Sequence, residues 1–249
     1  MSRPELSQVQ VVADAVALAE AGARAAIADI EAACEAHLSC TWVLTGGSTP
    51  MAAYQQLASH RLRGGVEWGR VRIAMGDERC VPPTDPESNW GQAAAALLDH
   101  VPISEQHRLR LRAEIGAEAA AREYEAVLRQ LPEAAPGIPR LEVLWLGVGP
   151  DGHCLSLFPG HPEIEIRDQL VVAVHDAPKP PPDRVSLTLT ALAGVERLLV
   201  LASGEAKADA IARARAGDER LPIARAVATV EAHGGTVTWL LDQAAMGSG

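Results

Sequence analysis

Leu141-Glu142-Val143-Leu144-Trp145-Leu146-Gly147-Val148-Gly149-Pro150-Asp151-Gly152-His153 runs six mostly apolar residues straight into a glycine-rich turn. A short apolar run that stops at Gly predicts a buried strand, not a helix, with a tight loop at its end. Thr41 to Thr45, Val71 to Met75, Leu170 to Val174, Leu198 to Ala202 and Thr236 to Leu241 have the same character, several of them rich in β-branched residues. Between these runs lie helical patterns at Pro50 to His60, Asn89 to Leu98, Ala117 to Leu131, Ser203 to Ala214 and Leu221 to Ala226. From Glu5 to about His37, Val9, Val12, Val16, Ala19 and Ala23 recur at helical spacing, which predicts one long helix or two. Alternation of this kind implies right-handed crossovers. The expected fold class is α/β, a doubly wound and mainly parallel sheet with helices on both faces, in a single domain over residues 1–249.

Two Pro-dense segments, Val81 to Ser88 and Ala177 to Asp183, fit neither helix interiors nor central strands. They read as surface loops, serving either as connectors or as walls over a site at the strand ends, where open α/β sheets bind ligands.

The 249 residues carry 22 basic and 32 acidic side chains, a net charge of −10. That balance speaks against broad nucleic-acid or membrane-surface binding, which needs clustered Lys and Arg. There is no apolar run of membrane-spanning length, and Met-Ser-Arg-Pro-Glu-Leu lacks the apolar core of a signal peptide, so a soluble cytoplasmic protein is expected. Cys34, Cys40, Cys80 and Cys154 form no Cys-x-x-Cys pair, which fits a reducing compartment. Basic residues are overwhelmingly Arg, with Lys179 and Lys207 the only lysines.

Four clusters at strand ends carry the chemistry-bearing residues. In Thr45-Gly46-Gly47-Ser48-Thr49-Pro50, two glycines let backbone N–H groups approach an anion, and Ser48 and Thr49 add hydroxyl donors. A plain capped strand-to-helix turn accounts for the same six residues equally well. In Asp77-Glu78-Arg79, Arg79 can clamp a phosphate or a developing oxyanion, with Asp77 or Glu78 fixing its orientation. Gly147, Gly149 and Gly152 formally satisfy the dinucleotide fingerprint, but Pro159 and Pro162 interrupt the helix that must follow. What remains is a turn presenting Asp151 and His153, a carboxylate beside an imidazole suited to taking a proton from water. His161 and His175 lack metal-ligand spacing relative to it. The fourth cluster joins Arg184-Val185-Ser186-Leu187-Thr188 with Ser203-Gly204-Glu205-Ala206-Lys207, where a compact ammonium near a helix start suits phosphate.

Taken in order from about Thr45 to Leu241, these motifs resemble the 6-phosphogluconolactonase family. They are Gly46-Gly47-Ser48-Thr49-Pro50, Asp77-Glu78-Arg79 with Ser88-Asn89, Leu146 through Pro159, Arg184 through Thr188, and Gly204-Glu205-Ala206-Lys207. The resemblance implies hydrolysis of 6-phospho-D-glucono-1,5-lactone in the oxidative pentose phosphate pathway. It places the phosphate among Gly46, Gly47, Ser48, Thr49, Arg184 and Lys207. His153 is then the general base on water, oriented by Asp151, with Arg79 or backbone N–H groups of the turn meeting the oxyanion. Asp77, Glu78, Asn89, Gly149 and Gly152 support this arrangement. Neither metal nor cofactor is implied, and the expected partner is the phosphorylated sugar lactone alone, bound by a monomer or weak homo-oligomer. Glucosamine-6-phosphate deaminases share the Asp-Gly-His turn but continue into Phe-Asn-Glu-Pro, whereas Phe158 stands here at the position of that Glu. A sugar-phosphate-binding protein without catalysis is the remaining alternative, and it leaves Asp151 and His153 without a task.

Overall fold

The computed structural model describes residues 7–247. In chain order the strands are β1 (Ser7–Val12), β2 (Cys40–Leu44), β3 (Val71–Met75), β4 (Asp77–Arg79), β5 (Arg108–Leu109), β6 (Glu133–Ala135), β7 (Ile138–Pro139), β8 (Leu141–Gly147), β9 (Val171–Val174), β10 (Arg184–Leu187), β11 (Val195–Ala202) and β12 (Thr236–Asp242). The helices are α1 (Ala15–His37), α2 (Ser48–Ala58), α3 (Asn89–Ala96), α4 (Ala117–Leu128), α5 (Leu189–Leu192), α6 (Ala208–Arg215), α7 (Pro222–Ala232) and α8 (Gln243–Met246).

Seven strands form one parallel sheet in the order β1-β12-β11-β8-β2-β3-β5, flanked by helices. Every residue of β2 is buried, and so is all of β8 except Gly147, as expected where helices cover both faces of a parallel sheet. From β2 the chain steps outward through β3 and β5. It then crosses back to β8 on the other side of β2 and continues outward through β11 and β12. The order therefore reverses between β2 and β8, which opens a crevice at their carboxyl ends. Pairing of these two strands is limited to Trp42 with Val143 and Val43 with Leu144. Trp42, Tyr54 and Trp145 pack there, with the Tyr54 and Trp145 rings stacked at 5.2 Å and Trp42 edge-on to both. No helix among the described residues is long and apolar enough to cross a membrane.

The amino-terminal segment is a strand followed by one helix, not the one or two helices its valine spacing predicts. Ser7–Val12 is a strand paired in parallel with β12, and α1 starts at Ala15 behind Asp14, whose carboxylate accepts from Val16 N at 3.0 Å and Ala17 N at 2.9 Å. Gln8 and Gln10 alternate with Val9 and Val11, a period of two that the helical spacing of the valines obscured. Glu5 and the residues before Ser7 lie outside the described residues, as do Ser248 and Gly249 of the terminal tail.

The strand expected at Leu170 to Val174 exists as β9 but leaves the main sheet. It joins β10 and β4 in a small antiparallel sheet, order β4-β10-β9. The same sheet holds Asp77–Arg79 and Arg184–Leu187 as strands, where the sequence suggested a charged turn and a loop exit. Helix α2 begins at Ser48, two residues before Pro50, and α7 runs on to Ala232. Both Pro-dense segments are irregular, as expected.

Candidate active site

The crevice between β2 and β8 opens into a cleft of about 600 Å³. Its walls bring together Gly46 to Pro50 after β2, Asp77 and Arg79 of β4, Asn89 of α3, Gly147 to Gly149 and His153 after β8, Arg184 of β10, and Lys207 beyond β11. Three of the expected residues, Glu78, Asp151 and Gly152, stand behind this wall. A larger and more apolar pocket lies elsewhere, between α5, α7 and the β6–β7 hairpin, and contains none of the motif residues.

At the β2 end, Gly47 precedes α2 and offers no side chain to cap it. The first-turn N–H groups of Ser48 and Thr49 therefore meet the cleft at the positive end of the helix dipole. Gly46 is required here by close approach, since a Cβ at that position would lie 2.0 Å from Asn89 Oδ1. Asn89 Nδ2 donates to the Asp77 carbonyl at 3.0 Å, and its buried Oδ1 has no hydrogen-bond partner among the described residues.

The turn after β8 is closed by Gly149 N–H donating to His153 O and Gly152 N–H donating to Gly149 O, each at 2.9 Å. The side chains of His153 and Asp151 fold back over Gly149, where a Cβ would fall 2.0 Å from His153 Nδ1 and 2.5 Å from Asp151 Oδ1. Only a glycine leaves room for the pair. His153 Nδ1 lies 2.5 Å from Asp151 Oδ1, and this bond commits Nδ1 to the carboxylate. Burial holds the His153 imidazole below its ordinary pKa, against the upward pull of the Asp151 bond and charge, with Lys179 reinforcing the burial. Burial works against the Asp151 charge, but the His153 bond, the His153 charge and Lys179 outweigh it, so its carboxyl sits below the usual range.

Lys179 was not singled out as a site residue by its sequence position. Its Nζ lies 4.0 Å from Asp151 Oδ1, delivered by the Pro-rich strap 177–183. Arg184 anchors that strap, its Nε donating to Pro181 O at 3.0 Å and Nη2 to Lys179 O at 2.9 Å. Arg184 thus walls the cleft while two of its three guanidinium nitrogens hold backbone. A second tie is His175, which bridges Asp183 at 2.7 Å and Glu118 at 2.8 Å.

Neither neighbouring carboxylate orients Arg79 as the sequence suggested. Glu78 accepts from Ser88 Oγ and from the N–H groups of Arg79, Asn89 and Trp90, at 2.7 to 3.0 Å, fixing the start of α3. Asp77 accepts from Ser156 Oγ at 2.7 Å, tying β4 to the segment after His153. Both are nearly fully buried, and each spends its acceptors on these donors. Arg79 instead donates from Nη1 to Glu87 O at 2.5 Å, and its buried Nε has no partner among the described residues.

Two further groups were missed. Asp242, at the end of β12, accepts from Ser203 Oγ at 2.5 Å, Gly204 N–H at 3.1 Å and Ala245 N–H at 2.7 Å, which fixes the turn before Lys207. Burial lowers the Lys207 pKa, and Asp242 opposes that shift. The chain's two tyrosines each place a hydroxyl on a strand-terminal residue, Tyr54 on the N–H and C=O of Thr45 and Tyr124 on those of Met75. None of these contacts has a local sequence signal, because each joins residues whose elements meet only in the fold.

Residues 13–239 match the family described as glucosamine-6-phosphate isomerases/6-phosphogluconolactonase. The chain belongs to this family. A 6-phosphogluconolactonase of Streptomyces coelicolor is 40% identical over 245 residues, covering 96% of this chain and 93% of the relative. One from Homo sapiens is 37% identical over 237 residues, covering 95% and 86%. Among solved structures, a 6-phosphogluconolactonase from Leishmania guyanensis superposes with a TM-score of 0.84 at 26% identity, covering 96% of this chain and 97% of that one. A monomeric glucosamine-6-phosphate deaminase shares the fold, with a TM-score of 0.76 at 21% identity, covering 96% and 98%.

Proposed function

We propose that this chain hydrolyses 6-phospho-D-glucono-1,5-lactone to 6-phospho-D-gluconate, with His153 as the general base on water. The observation that carries the mechanism is the His153 Nδ1 bond to Asp151 at 2.5 Å. With Nδ1–H donating to the carboxylate, Nε2 keeps a lone pair to accept a proton from water as the oxygen attacks C1. Asp151 then stabilises the imidazolium that forms. The oxyanion on C1 is met by Arg79 or by backbone N–H groups of the Gly147–Gly149 turn, each donor worth about 3 kcal/mol. Collapse of the tetrahedral intermediate breaks the ring ester bond, and His153 returns the proton to the departing ring oxygen.

The substrate phosphate sits at the start of α2, on the Gly46–Thr49 backbone and the Ser48 and Thr49 hydroxyls, opposite Lys207. Arg184 contributes its charge and its remaining nitrogen while holding the strap. The buried Oδ1 of Asn89 accepts a hydrogen bond from a sugar hydroxyl. The four free cysteines fit a cytoplasmic setting.

His153→Ala tests the mechanism. Lactone turnover should fall about 10²- to 10⁴-fold with binding of 6-phosphogluconate largely kept. A variant that turns over at the wild-type rate contradicts the assignment.

A further inference from the structure

Phe158 is the chain's one phenylalanine, and it is 1% exposed directly behind the cleft. Its ring centroid lies 4.8 Å from that of His153, tilted by 37°. The Arg184 guanidinium carbon lies 5.6 Å from the same ring, within range of a cation–π contact. His161 packs against it as well, at 5.6 Å between centroids. One apolar ring thus touches both the proposed base and the cation that anchors the strap.

We propose that Phe158 is a positioning residue for the reaction, its ring fixing the plane of the His153 imidazole and supporting the Arg184 guanidinium. The bond to Asp151 fixes one point of the imidazole but leaves rotation about that bond free. A packed ring removes this freedom, so that Nε2 stays aimed into the cleft. The ring also keeps water from that side of His153, in line with the burial that holds its pKa low. The charged groups facing His153 are Asp151 from its own turn, Lys179 from the strap and Asp77 from β4, and Phe158 supplies the apolar side. On the Arg184 side, the ring holds the guanidinium where it reaches the strap carbonyls, and so governs where Lys179 sits over Asp151.

The kinetic part of this proposal rests on the lactonase reading, and the titration part does not. The experiment compares wild type, Phe158→Leu and Phe158→Tyr, with Tm recorded for each. The His153 imidazole C–H resonance, assigned by its loss in His153→Gln, is followed by NMR against pH in the free protein. In Phe158→Leu the midpoint should rise by about half a unit or more as water reaches the ring. KM for the lactone should rise several-fold, and the acid limb of kcat/KM should follow the NMR midpoint. Phe158→Tyr keeps the ring and should return both values toward wild type. A folded Phe158→Leu protein with wild-type midpoint and KM overturns the proposal, as does a Tyr variant that behaves like the Leu variant at equal Tm. If wild type has no lactonase activity, the function falls, while the NMR midpoint still decides the role of the ring.

Discussion

In the proposed mechanism His153 serves as a base only while neutral, and its pKa is held below the ordinary value of about 6.5. The neutral fraction, and with it kcat/KM, is retained at neutral pH and lost as pH falls through the lowered pKa. The acid limb of the kcat/KM profile should therefore have its midpoint below about 6.5. Lys179 contributes to that lowering from 4.0 Å beyond Asp151. Lys179→Ala should move the limb to higher pH, and an unmoved limb contradicts the charge coupling. Lys207, as the proposed phosphate ligand, differs, because such a ligand holds ground and transition states alike. Lys207→Ala should chiefly raise KM, roughly tenfold or more, and a fall in kcat alone would place it in the chemistry instead. His153, Asp151 and Lys207 were legible as residues, the first pair from its glycine turn and the last from the scarcity of lysine. Lys179 was not, since nothing in Ala-Pro-Lys-Pro tells where a strap will lie.

Strand ends and helix starts do the positioning, and their anchors are buried carboxylates. Glu78 alone satisfies Ser88 and the N–H groups of Asn89 and Trp90 at the start of α3. Glu78→Ala leaves these donors without an acceptor and should cost roughly 1–3 kcal/mol of stability by urea unfolding. A loss under about 0.5 kcal/mol would mean that water replaces the carboxylate. The inner parallel strands β2, β3, β8, β11 and β12 were readable because burial on both faces makes them largely continuous apolar runs, whereas the two-residue edge strand β5, Arg108–Leu109, carries no such run. The small antiparallel sheet was not, since Asp77–Arg79 is charged throughout and becomes a strand only by pairing with Arg184–Ser186. The first strand was hidden for a related reason, because it lies at a sheet edge where its valines stay exposed.

At the scale of the molecule, the chain carries a net charge of −10 yet gathers Arg79, Arg184 and Lys207 around one cleft. Overall charge speaks against broad polyanion binding, and the local charge suits the small phosphorylated ligand proposed above. The reversal of strand order between β2 and β8 puts the start of α2 and the Asp151–His153 turn on neighbouring strands, so the proposed phosphate site and the proposed base can serve one ligand. That adjacency is a property of strand order, which the sequence motifs implied only by their succession. Phe158 at the deaminase carboxylate position makes the chemistry the decisive question. The direct test follows lactone hydrolysis above the spontaneous rate and ammonia release from glucosamine 6-phosphate, on the same purified protein without added metal. Fast lactone loss with no ammonia is the predicted result; ammonia release, or silence with both substrates, would contradict the account.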